Sequence, residues 1–164
     1  MKRFALGFVT MLVVLTAGTV AYLLLGLAEV RADVNAPRPI RALVAMSVRA
    51  SVRRHAPATS SIALTKADIV AGARLYLNGC AGCHGTPGKP RLDSTGFLPP
   101  PYLPAAGSQY TEPETYWIIK HGIRRTGMSA YGPFYKEKEI LQLAAFVKRM
   151  PELPVALTDS MLRK

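Results

Sequence analysis

The sequence predicts an all-α protein, a small helical domain carried behind an N-terminal transmembrane helix. Three observations support this. Apolar residues recur at helical spacing in several stretches of the 164-residue chain, and none alternates as a half-buried strand would. Residues 4–28 run without a charge. A Pro- and Gly-rich stretch, residues 85–107, separates the helical patterns as an extended loop.

The first element follows from length. Residues 4–28 would extend about 37 Å as a helix, against a hydrocarbon core of about 30 Å. A secretory signal has an apolar stretch of only about 7–15 residues, so a retained anchor is the better reading. Two cleavage-like sites nevertheless follow, Gly26-Leu27-Ala28 and Val30-Arg31-Ala32. Lys2 and Arg3 on one side and Arg31, Arg38 and Arg41 on the other leave the positive-inside rule almost balanced.

Residues 29–64 read as a basic, partly helical linker. Within it, 39–53 carries Arg41, Arg49 and Arg53 on one face, and Ile40, Val44, Val48 and Val52 on an adjacent one. Such a helix suits anionic headgroups as well as it suits packing of its valines on the following domain. The compact domain is expected over residues 65–153. Thr65-x-x-Asp68 caps a helix ending at Asn78-Gly79, Pro113 and Gly122 bound a second, and a third fills 136–150, with Ile140, Leu143, Ala144 and Val147 inward. Residues 154–164 read as a loose tail.

Chemistry is concentrated in Cys80-Ala81-Gly82-Cys83-His84, which contains both cysteines of the chain. This is the pattern of covalent c-type haem attachment: two thiols reach two vinyl groups, and the adjacent imidazole lies beneath the iron. A disulfide, redox pair or zinc site is the competing reading. Zinc would need further ligands that His55 and His121 do not supply, and a thioredoxin-like motif would need a βαβ context.

His84 is therefore the expected proximal ligand. Met46, Met128, Met150, Met161, His55 and His121 are the candidates opposite it. Met128 lies 44 residues beyond His84 in a loop between helical patterns, where Gly127 lets the backbone approach closely. It is the expected sixth ligand, on the Met/His pairing of cytochromes c. His121 at a helix C-terminus, and an open site for a small ligand, are the alternatives.

From residue 65 to 150 the chain resembles the class I c-type cytochrome family, especially small bacterial monohaem cytochromes with a membrane anchor. The resemblance rests on CAGCHG at 80–85, FLPPPYL at 97–103, YWIIKHGIRRTGMSAYG at 116–132 and EKEILQLAAFVKRMP at 137–151. It implies the class I cytochrome c fold, with about three to five helices around one covalent haem c. First and last helices would cross, Gly72, Leu75 and Tyr76 facing Leu143, Phe146 and Val147. A proline carbonyl before Tyr102, Pro99 or Pro100 rather than Pro101, would accept from the His84 ring. Trp117 and Tyr131 are candidate haem neighbours. Ser129 stands where relatives commonly carry proline after the ligand Met.

The function these readings imply is a membrane-anchored carrier of single electrons between respiratory-chain components, without catalysis of its own. The alternatives are the electron-entry subunit of a larger oxidase or dehydrogenase, and a haem sensor or enzyme with an open sixth site. Haem c is attached outside the cytoplasm in bacteria, so the domain is expected on the periplasmic side of the inner membrane, as a single-pass protein. The net charge of +11 suits acidic redox partners and anionic lipid. Arg124, Arg125, Lys136, Lys138 and Lys89 are the expected steering residues. No nucleic-acid motif is present.

Overall fold

The computed structural model describes residues 2–31, 34–59, 64–89 and 98–153. The expected tail, 154–164, and the beginning of FLPPPYL lie outside them. Two compact units divide the chain at residues 32 and 33.

The first unit is one helix, α1 (Lys2–Leu24), with no buried residue. Its three threonines donate back to the preceding turn, Thr10 Oγ1 to Leu6 O at 2.9 Å, Thr16 to Leu12 O at 2.8 Å and Thr19 to Leu15 O at 2.9 Å. Each hydroxyl proton thus has an acceptor on its own helix and needs none from water.

The second unit contains α2 (Arg38–His55), α3 (Lys66–Gly79), α4 (Ala81–His84), α5 (Leu103–Ala106), α6 (Glu112–His121) and α7 (Glu137–Arg149), closed by a 3₁₀ turn, Met150–Glu152. No strand occurs among the described residues. The segment read as a linker therefore supplies a helix to this unit. Val52 of α2 is 1% exposed, and Arg49 donates to Gln109 Oε1 at 2.6 Å.

Helices α3 and α7 make the main contact, with α6 packed on α7. A side chain on Gly72 would overlap the backbone carbonyl of Gln142, and its Cβ would lie 3.0 Å from that of Phe146. The missing Cβ is what lets the two helices cross closely. Around the crossing, Tyr76, Leu143 and Phe146 are fully buried, the two rings meeting edge to face at 5.6 Å. Burial of each such side chain contributes about 1.5–3 kcal/mol. Of the contacts expected from the resemblance, those of Gly72 and Tyr76 with Phe146 are observed.

The helix starts are chemically explicit. Thr65 Oγ1 accepts from Asp68 N at 3.3 Å, while Thr65 N donates to Asp68 Oδ2 at 2.9 Å, a reciprocal cap with Asp in place of the usual Glu. Thr111 and Glu114 repeat the arrangement at α6, which sets its start one residue before Pro113.

Candidate functional site

The two cysteines sit on a single helical turn. Helix α3 ends at Gly79, and Cys80 is the N-cap of the short α4, its carbonyl accepting from Cys83 N at 3.2 Å and His84 N at 2.9 Å. Cys80 is buried and Cys83 exposed. Burial pushes the Cys80 thiol up to about 12, helped by the neighbouring Cys83. As a free cysteine this sulfur is a protonated thiol at neutral pH.

Two tyrosines hold the turn from either side. Tyr76, one turn earlier on α3, donates to Gly85 O at 2.7 Å. Desolvation raises its pKa far above the ordinary phenol value, so it remains a donor. Tyr131 donates to Gly79 O at 2.7 Å and stacks on Tyr135 with centroids 5.5 Å apart. Burial, with Cys80 second, raises the Tyr131 pKa too. Tyr102 completes the wall. Its ring lies where a Cβ on Gly85 (φ +78°) would sit, and its hydroxyl donates to Thr86 O at 3.0 Å.

His84 Nδ1 lies 2.9 Å from the carbonyl oxygen of Pro101. A carbonyl can only accept, so Nδ1 carries the proton, and Nε2 is the lone-pair nitrogen of the neutral ring. The acceptor is Pro101, not Pro99 or Pro100 as expected. Those two are half-buried in the preceding backbone, and the chain presents the carbonyl nearest Tyr102 to the imidazole.

Met128 is half-buried against the core cluster that includes Cys80. Its segment folds back along the end of α6: Ile123 N donates to Met128 O, Tyr131 N to Ile119 O and Gly132 N to Lys120 O, each at 3.0 Å. The last two satisfy carbonyls that the end of α6 leaves open. Gly122 permits the close return. It has φ +66°, and its Cβ would lie 2.6 Å from Met128 O and 2.7 Å from Ala130 N. Gly127, expected to permit close approach, has nothing within 4 Å of where a Cβ would stand, so that role falls to Gly122. Tyr131, three residues past Met128, joins this segment to Gly79 and so to the cysteine turn.

Trp117 stands between two histidine rings. Its ring lies 6.0 Å from the His55 ring and 4.9 Å from His121. These three border a cleft with Lys120 and Glu137, beside α2 rather than beside the cysteine turn. The hydrogen bond from Lys120 Nζ to Tyr116 OH, 2.9 Å, raises the Lys120 pKa. Tyr102 and Tyr135 join the site without having been expected there. Their signal in the sequence is only an aromatic residue among prolines or glycines, which many loops share.

The donor set fits a covalently attached haem. Two thiols stand one helical turn apart, an imidazole is held through Nδ1 so that Nε2 could serve a metal ion, and a thioether lies on a loop bonded back to the end of α3. A helical fold built around such donors defines a class I c-type cytochrome domain, whose work is haem-based electron transfer. Residues 67–147 match the family described as cytochrome C oxidase, cbb3-type, subunit III. Comparison with curated proteins and with solved structures gave no match.

Proposed function

We propose that this protein is a membrane-anchored, periplasmic monohaem cytochrome c that passes single electrons between respiratory-chain components, with His84 and Met128 as axial ligands. The carrying observation is the hydrogen bond from His84 Nδ1 to Pro101 O. It fixes the tautomer and ring orientation that iron ligation needs and raises the basicity of Nε2. Bound haem supplies the reversible ferrous–ferric couple, and the chain supplies its setting. Cys80 and Cys83 hold it covalently. Met128 supplies a neutral sulfur, which favours the ferrous state. The alternative ligand, His121, has its ring against Trp117.

The apolar, wholly exposed α1 and its self-satisfied threonines support the anchor. Tethering keeps the redox centre at high effective concentration near membrane donors and acceptors. Exposed Lys89, Arg124 and Arg125 are suited to acidic partners, whereas Lys138 is paired with Asp68 at 3.2 Å.

Visible spectra of the ferric and ferrous protein, with and without Met128→Ala, test this reading. A weak long-wavelength sulfur–iron band should be present in the ferric protein and absent from the variant. The reduced variant should bind carbon monoxide where the parent resists it. An unchanged spectrum in Met128→Ala would remove Met128 from the iron. Intact mass tests for a single haem.

A second reading is favoured by the matched family, described as an oxidase subunit. Here the same domain is the electron-entry module of a larger oxidase. Co-purification with larger membrane subunits after mild solubilisation distinguishes it from a solitary carrier.

A further inference from the structure

We propose that the outward flank of α2 is a membrane-surface element that lies on anionic lipid, an inference that rests on the reading of α1 as a membrane anchor. The two flanks of α2 have different fates. Val44 and Val48 are half-buried and Val52 is 1% exposed, so the valine stripe is used in packing within the second unit. Ile40, Leu43 and Met46, three residues apart along the other flank, are 42%, 59% and 62% exposed.

Large apolar side chains on an exposed helix flank invite a cover. Three observations identify it as lipid. The helix has no acidic residue, and its five arginines include Arg38, Arg53 and Arg54, all exposed. A flank of Ile, Leu and Met bordered by arginines is the composition of an interfacial helix, apolar side chains among the upper acyl carbons and guanidinium groups at the phosphates. Finally, only residues 25–37 separate α2 from α1. Thirteen residues reach at most about 45 Å, so a spanning α1 confines the start of α2 to within that distance of the bilayer. The net charge of the helix complements an anionic headgroup layer and would repel a basic partner protein.

The test uses the full-length haem-loaded chain. Its own two cysteines are consumed by the haem, so a Met46→Cys variant offers one reactive thiol for a nitroxide label. Phe134→Cys, at a position 78% exposed and outside α2, is the control. Both are reconstituted into vesicles of phosphatidylcholine alone, or with about one third phosphatidylglycerol to supply the anionic charge that basic segments bind. Collision with lipid-soluble oxygen and with a water-soluble nickel chelate is then measured. The expected result is a label at 46 that gains oxygen access and loses nickel access in the anionic vesicles, with partial reversal in high salt, while the label at 134 stays in water. Equal water access at 46 and 134 in floating vesicles overturns the inference while leaving the anchor intact. Shielding that ignores phosphatidylglycerol overturns the role given to the arginines. Shielding that arises only when larger membrane subunits are added assigns the flank to protein instead and overturns the lipid assignment. Protein that does not float with the vesicles overturns the anchor reading, and this inference with it.

Discussion

The Tyr76 hydroxyl donates to the carbonyl oxygen of Gly85 at 2.7 Å, tying the residue after His84 to the middle of the first core helix. Both residues are buried, so water cannot replace the bond. Tyr76→Phe keeps the ring against Phe146 but strands the Gly85 carbonyl. The expected loss is about 1–3 kcal/mol of stability, read as a lower denaturant midpoint with an unchanged slope. A midpoint within error of the parent would show that the bond does not hold the turn.

Two nearby glycines should behave in opposite ways. Gly122→Ala places a Cβ in a left-handed conformation and against Met128 O and Ala130 N. Strain and overlap together should cost about 2–4 kcal/mol. Because the overlap falls on the Met128 backbone, the ferric sulfur–iron band proposed for Met128 should weaken as well. Gly127→Ala meets no atom within 4 Å and should change stability by less than about 0.5 kcal/mol, as ordinary surface substitutions do. A silent Gly122→Ala would mean that the return of the loop is not close in solution.

The helices are legible in the sequence because their signals are local. Thr65 with Asp68 and the stripe from Ile140 to Val147 each act within a few residues, and the structure uses them as expected. The cysteine turn is legible for the same reason. What is not legible depends on partners far apart in the chain. The carbonyl that meets His84 is 17 residues away, and three successive prolines offer the same chemical group. Gly127 draws attention because it adjoins Met128, but closeness along the chain is not closeness in space; the clash-free requirement lies at Gly122. Trp117 has no local feature to say which side of α6 it serves, and its position depends on His55 of α2, a helix within the segment that reads as linker. The valines of α2 face inward, as one of its two readings requires.

Asp68 gives the fold a defined acid sensitivity. Its carboxylate accepts from the Thr65 hydroxyl at 2.7 Å, the Thr65 backbone at 2.9 Å and Gln142 Nε2 at 2.8 Å, with Lys138 Nζ at 3.2 Å. The Thr65 side chain and backbone, then Gln142, hold its pKa well below the ordinary carboxylate range. Since the folded value is depressed, the stabilisation is fully present above the unfolded pKa of about 3.9. It is lost as pH falls from there toward the folded value. Thermal melts of the parent and Asp68→Asn should keep their neutral-pH gap down to about pH 4 and narrow it steadily across the range below. A constant gap across that range would mean the carboxylate charge is not what stabilises the cap. Comparing the pair cancels acid effects on the haem ligands, which both proteins share.

Arg125 should show stability and association pulling in opposite directions. It is the one non-glycine residue with positive φ among those described, at +62°. It sits in the turn closed by Thr126 N and Thr126 Oγ1 to Ile123 O, at 3.2 and 2.7 Å. Glycine would adopt this conformation without the Cβ penalty, so Arg125→Gly should gain up to about 1 kcal/mol. An exposed arginine kept in a strained position points to a use for its charge. Stopped-flow oxidation by hexacyanoferrate, an anionic acceptor, should slow in Arg125→Gly and depend less steeply on salt. Arg125→Lys should retain both the strain and the fast reaction. A glycine variant that is more stable yet equally fast, with the same salt dependence, would show that Arg125 does not steer acidic partners.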